Sequence, residues 1–265
     1  MSQAVLLQQV PFCGPGRIIP IFRDFGIPCE IRHLYKGDEV PTDLDEIRVL
    51  VVLSGPMRVA DVGSPQHPYL LKEVELLRRM IEFDRPVLGI GLGAQLLAHA
   101  AGAKVYPNTP NGEHTGDRPV GEYGWAGVTF PFPGGTEPIV YGLMDGAPMF
   151  HWHSDTFDLP RLPPPANLPP GAPAPPGGSV LLSSTARCKN QAFRFKNRLF
   201  GFQFHFELTP REIEGWLEND RATLEQAAGP SAVEQIRRDT QQFYNRHARL
   251  GNRLIENFVQ FLRAY

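Results

Sequence analysis

The sequence predicts an α/β protein built on a mostly parallel central sheet flanked by helices. Three observations carry this. Short apolar, β-branched runs alternate with helical stretches through the first ninety residues. A glycine-dense corner, "PVLGIGLGAQLLAHA" (residues 86–100), leads one such run straight into a helix. The second half then turns to strand-like segments before helices close the chain.

The first strand is read in "AVLLQQV" (4–10), the second in "CEIRHLY" (29–35), the third in "RVLVVLS" (48–54) and the fourth in "PVLGI" (86–90). Between the first two, "GRIIPIFRDFG" forms a short helix with Pro20 in its first turn, where a missing N–H is tolerated. Between the third and fourth, Leu70, Val74, Leu77 and Ile81 recur at helical spacing, with Lys72, Glu73, Arg78 and Arg79 on other faces. Alternation of this kind calls for parallel strands with right-handed crossovers. After the strand-like run "AKVYP" (103–107), the segments "GWAGVTF", "PMFHWHS", "SVLLSST", "NQAFRF" and "LFGFQFHF" follow as a strand-rich layer joined to the same sheet. At "TPREIEGWL" a helix begins, with Thr209 as N-cap, Pro210 in the first helical position and Glu212 at the capping-box position. Leu250, Leu254, Phe258 and Leu262 mark a final amphipathic helix.

At 265 residues and 42% hydrophobic composition the chain can fill a sizeable core. Its 26 Lys and Arg against 28 Asp and Glu leave no basic field for nucleic acid or an anionic membrane surface. No apolar stretch approaches the ~20 residues of a membrane span, and no signal-peptide pattern opens the chain. Cys13, Cys29 and Cys188 are odd in number and widely spaced, which fits neither a disulfide framework nor a metal site. The expectation is a cytoplasmic protein with small-molecule or protein partners, no metal and no cofactor. Residues 160–178, with nine prolines in nineteen, read as an extended surface insertion; docking to a partner's aromatic groove is the alternative.

Two chemistries use such a corner. Gly89, Gly91 and Ala94 satisfy G-x-G-x-x-A, the dinucleotide-binding pattern. That motif belongs in the first strand-to-helix turn and needs an acid about twenty residues on at a strand end; here three strands precede it and Glu113 falls in a loop. The other reading is the nucleophile elbow, a tight turn that lifts one side chain above the sheet, with Gly89 and Gly93 as flanks and Gly91 at the nucleophile's position. A nucleophile needs a base and an orienting acid. His205 and Glu207, two apart on a predicted strand and so on one face, supply them.

Five separated motifs, "PVLGIGLGAQLLAHAAGAKVYP", "LSGPMRVAD", "HWHSDTFDLP", "NQAFRF" and "GFQFHFELTP", resemble class I glutamine amidotransferases, most closely the stand-alone GMP synthase-like group. The resemblance covers nearly the whole chain. It implies a single three-layer, flavodoxin-like domain over residues 1–265, with 160–178 as an insertion and 209–265 as a C-terminal helical extension. It also implies that a cysteine thiolate attacks the γ-amide of glutamine, that His205 shuttles the proton and that Glu207 orients His205. The N–H groups of Gly55 and Leu92 would form the oxyanion hole, and Gln95 would lie near the substrate. Glutamine or another γ-glutamyl compound is the implied ligand, with a synthetase or acceptor partner in trans.

The chain departs from this pattern where it matters. The elbow cysteine is Gly91, the family's Gly-Gly-Pro is Ser54-Gly55-Pro56, and its His-Pro-Glu is His205-Phe206-Glu207. Loss of a nucleophile costs other triads about 10⁶ in rate, so the chain is expected to be inactive. It is then a pseudoenzyme that binds a γ-glutamyl or other carboxylate ligand or regulates a partner, unless Gly91→Cys restores hydrolysis. Cys13, in the loop after the first strand, is the one other thiol that topology brings toward the elbow. His151 and His153 share a strand face and read as pocket-lining residues, since no third ligand is evident in sequence. His99 reads as helix packing.

Overall fold

The computed structural model describes residues 3–109, 119–162 and 178–263. Glu113 and residues 163–177 of the proline-rich segment lie outside them. Seven strands form the main sheet: β1 (Gln3–Gln8), β2 (Cys29–His33), β3 (Ile47–Val52), β4 (Val87–Ile90), β9 (Ser179–Ser183), β10 (Ala192–Phe195) and β11 (Leu199–Phe202). Their order is β2-β1-β3-β4-β11-β10-β9. The five from β2 to β11 are parallel, and β10 is antiparallel to both β11 and β9.

Because β3, β4 and β11 are apolar on both faces, they need cover on both sides. On one side lie α2 (Pro68–Glu82) and α3 (Leu92–Ala100), packed on Val5, Leu7, Leu50, Val52 and Val87. On the other, α1 (Ile18–Asp24) and α6 (Ala232–Arg263) pack on Ala4, Leu6, Val49, Val51 and Leu88. The result is the three-layer, mostly parallel architecture that the alternating pattern predicts. A helix α4 (Pro210–Asn219) and a helix α5 (Arg221–Ala228) precede α6. Thr209 and Glu212 form the expected capping box, in which Glu212 accepts the Thr209 N–H at 2.9 Å.

The strand-rich second half departs from the expectation of one continuous sheet. Only β9, β10 and β11 join it; β5 (Val105–Pro107) pairs with β8 (Asp155–Phe157), and β6 (Glu122–Val128) with β7 (Ala147–His153), in two separate antiparallel ribbons. β8 is three residues long, too short to show a period. Glu73 also differs: it is fully buried in α2, and accepts the Gln9 side-chain N–H at 2.8 Å.

Candidate active site

The corner after β4 is built by close packing. β4 lies between β3 and β11, and the Gly91 N–H donates to the Phe202 carbonyl at 2.8 Å, which fixes where the strand ends. Gly91 turns the chain at φ 56°, ψ −116°, and its carbonyl accepts the first N–H groups of α3, from Ala94 at 3.0 Å and Gln95 at 3.2 Å. A Cβ on Gly93 would stand 2.0 Å from the Val52 carbonyl oxygen, and one on Gly89 2.5 Å from that of Gly93. Both glycines are therefore needed for the turn to sit on β3 and on itself. Gly93 has no role in the dinucleotide pattern, whereas the elbow reading needs it.

β3 and β4 pair as far as Val52↔Gly89, and just beyond that end Ser54 lies against Gly91. A Cβ on Gly91 would point to within 3.3 Å of His205 Nε2, the direction a nucleophile needs. It would also stand 2.2 Å from Ser54 Oγ and 2.8 Å from Ser54 Cβ. That space is filled, and the Leu92 N–H donates to the same Ser54 hydroxyl at 3.2 Å.

His205 and Glu207 are brought together, though not by a strand: β11 ends at Phe202, and the next residues bend. His205 is anchored by a bridge to Phe150 of β7, its N–H donating at 2.7 Å and its carbonyl accepting at 3.3 Å. The bend lets His205 Nδ1–H donate to Glu207 Oε1 at 2.7 Å, while Glu207 Oε2 accepts the Phe206 N–H at 2.9 Å. The imidazole is buried against the Trp216 ring, with centroids 5.6 Å apart. With Nδ1 turned to Glu207, Nε2 faces Gly91, and it has no hydrogen-bond partner among the described residues.

A cavity of about 270 Å³ opens beside this group, with Ser54, Gly55, Leu92 and Gln95 in its lining. Gln95, far from being a surface amide, is buried and donates to the Gln203 side chain at 3.4 Å. Opposite them, Arg58 grips Asp155 with two hydrogen bonds of 2.9 and 2.7 Å, and the Trp152 indole N–H donates to Asp220 at 2.7 Å. The wall thus offers one guanidinium, two carboxylates and two amides, a donor and acceptor set suited to a zwitterionic small molecule.

Sequence reasoning missed Glu122. It sits opposite His153 in the β6–β7 ribbon, and with His151 the three side chains bring ligand-type atoms within 4.8 Å of one another. The missing signal was the ribbon's register, which no sequence spacing reveals. Glu122 is already satisfied: it accepts from Thr185 at 2.7 Å and from Gln191, and meets His153 Nε2 at 3.1 Å. Burial, the largest influence, holds His151 down to about 4, so the ring is neutral at pH 7.

The free thiols lie elsewhere. Cys13 packs under Trp216 and Phe150, and burial, followed by the charges of Glu207 and Asp220, raises its pKa well above the usual thiol value. It is close enough to feel Glu207, but it stays protonated and is no thiolate. Cys188 is buried beside Thr156 and pushed up to about 11, again chiefly by burial. Cys29 is half-buried at the start of β2. His99, in the last turn of α3, is lowered mainly by partial burial and lies away from the cavity lining.

A family model described as glutamine amidotransferase class-I matches residues 17–222. The glutamine amidotransferase-like protein YfeJ of Salmonella typhimurium is 26% identical over 227 residues, which cover 85% of this chain and 84% of YfeJ. A GMP synthase (glutamine-hydrolyzing) of Porphyromonas gingivalis is 27% identical over 188 residues, 70% of this chain but 29% of the synthase. Among solved structures, a glutamine amidotransferase from Thermotoga maritima superposes with a TM-score of 0.71 at 24% identity, over 96% of this chain and 98% of that one. One from Methylobacillus flagellatus reaches 0.76 at 21%, over 98% and 95%. At these identities the structural likeness establishes the fold.

Proposed function

The chain belongs to the class I glutamine amidotransferase family, and from that premise we propose that it binds glutamine or another γ-glutamyl compound without hydrolysing it through a cysteine thioester. One observation carries this reading: the position that faces His205 Nε2 is a glycine, so no sulfur can attack the γ-carbon of a bound amide. What is left is the acid–base half. Glu207 fixes the His205 tautomer, and Nε2 is poised to take a proton that no side chain at position 91 can give. Gly55 and Leu92 stand at the cavity as candidate oxyanion donors, and Gln95, Arg58, Asp155 and Asp220 as candidate ligand contacts.

Without covalent attack, such a site functions as a receptor. Calorimetric titration with glutamine, glutamate and a γ-glutamyl amide tests this: saturable binding at up to millimolar ligand is the expected result, and flat titrations of the folded chain overturn it.

A second reading concerns partners. Because the chain spans 29% of the GMP synthase it resembles, a synthetase or acceptor acting in trans is the partner class that the family offers. A change in sedimentation on mixing with the isolated synthetase part of such an enzyme would support it; unchanged sedimentation would remove it. No helix among the described residues is long and apolar enough to cross a membrane.

A further inference from the structure

We infer that Ser54 and Gly91 form one coupled unit: the Ser54 side chain takes both the space of a nucleophile at position 91 and the hydrogen bond of the Leu92 N–H, so that the site admits a nucleophile only if both residues are exchanged. The inference rests on the reading of the cavity as a γ-glutamyl site.

The steric half follows from two distances. A Cβ at position 91 would meet Ser54 Oγ at 2.2 Å, a contact that rotation about the serine χ1 can relieve. It would also meet Ser54 Cβ at 2.8 Å, which no rotation moves. Rotation has its own cost, because it withdraws Oγ from the Leu92 N–H, now 3.2 Å away in the buried interior. Both positions follow directly on β3 and β4, buried core strands paired up to Val52↔Gly89, so the pair cannot drift apart without moving those strands. A glycine at 54 removes both obstacles together.

The electrostatic half concerns the oxyanion hole. An oxyanion donor must point at the place where charge develops. Here the Leu92 N–H is spent on Ser54 Oγ, which sits in the resting site where a substrate oxygen would have to compete for it. Ser54→Gly frees that N–H to act with Gly55. A thiol installed at 91 would lie beside His205 Nε2, whose lone pair has no other partner among the described residues. The thiol proton would pass to Nε2 as sulfur bonds to the γ-carbon; the C–N bond then breaks, ammonia leaves with that proton, and water cleaves the thioester to glutamate and the free thiol. Such a reaction uses only glutamine and water.

The test is a four-protein cycle: the unmodified chain, S54G, G91C and S54G/G91C. Each is measured for its thermal unfolding midpoint, for iodoacetamide alkylation of the introduced thiol by peptide mass, and for ammonia release from glutamine. Backbone strain of a non-glycine residue at φ 56° is common to both backgrounds and cancels in the comparison. G91C is expected to lower the midpoint at least about twice as much in the Ser54 background as in S54G. Only S54G/G91C is expected to release ammonia, at a rate roughly 100-fold or more above the unmodified chain. If G91C alone fails to fold while the double variant folds, the coupling stands. Equal destabilisation in both backgrounds, equal ammonia release above background by G91C and the double variant, or a double variant that does not fold overturns it. A double variant that shows the stability coupling and alkylates, yet releases no ammonia, overturns the γ-glutamyl reading and leaves the coupling in place.

Discussion

His205 and Glu207 meet at 2.7 Å, Nδ1 to Oε1, although they are two residues apart and no regular strand carries them. The contact exists because the chain bends after β11, so that one carboxylate serves two donors, the imidazole N–H and the Phe206 N–H. Glu207→Gln sets an amide NH₂ against one of those two donors. A loss of about 1–3 kcal/mol in denaturant unfolding is expected, because a buried donor is left unpaired. No change would mean that the carboxylate does not organise this bend.

Arg17 ties the same bend to the helical layer. Its guanidinium donates to the carbonyls of Phe206 and Leu208 and to the Asn252 side chain, the last at 2.8 Å, and its backbone N–H donates to the Glu207 carbonyl at 2.9 Å. Arg17→Met strands those carbonyls, and a destabilisation of about 2–4 kcal/mol is expected by chemical denaturation. A loss below about 0.5 kcal/mol, typical of a surface change, would contradict this role.

Three buried groups set opposite limbs of a pH profile. His151 and His247 are held down by burial to about 4 and about 3, so below pH 6.5 the unfolded chain binds protons that the folded chain refuses, and stability falls toward acid. Glu73 is raised by burial to about 8, so the unfolded chain releases a proton near pH 4.5 that the folded chain keeps, and stability falls as pH rises from 4.5 to 8. Between 4.5 and 6.5 the two histidines outweigh the one acid. Thermal unfolding midpoints are therefore expected to peak near pH 6.5, and Glu73→Gln should remove the decline between 6.5 and 8, adding on the order of 2–5 kcal/mol at pH 8. A Glu73→Gln profile parallel to that of the unmodified chain would refute the assignment.

Arg58 is half exposed at the cavity while Asp155 is buried, so the pair is anchored from the acid's side. Arg58→Ala removes the one guanidinium in the cavity lining. Affinity for a carboxylate-bearing ligand is expected to fall about tenfold or more by calorimetry, in line with a lost charge-assisted hydrogen bond. Unchanged affinity would move the ligand's carboxylate elsewhere.

The sequence made the sheet legible because β1, β3 and β4 carry short, mostly apolar runs and α2 keeps a helical period. The elbow was legible through Gly89 and Gly93, whose lack of side chains the packing demands. Three features were not. Ser54 and Gly91 meet only where the chain leaves two neighbouring parallel strands, and Glu122 meets His153 only through an antiparallel register. Glu73 looked like a solvated position in an amphipathic helix, but it is fully buried and accepts a hydrogen bond from Gln9. Such pairings are tertiary facts, invisible to local periodicity. They also bear on one expectation: a Cβ at position 91 would meet Ser54, so under the inference above Gly91→Cys is expected to restore hydrolysis only together with Ser54→Gly.

On the proposed function, His205 and Glu207 stand as base and orienting acid of a site that is silent because position 91 carries no side chain. The most direct measurement is ammonia release from glutamine by the unmodified chain beside His205→Ala. Equal, background-level release by the two is expected. Glutamine turnover by the unmodified chain that disappears in His205→Ala would contradict it.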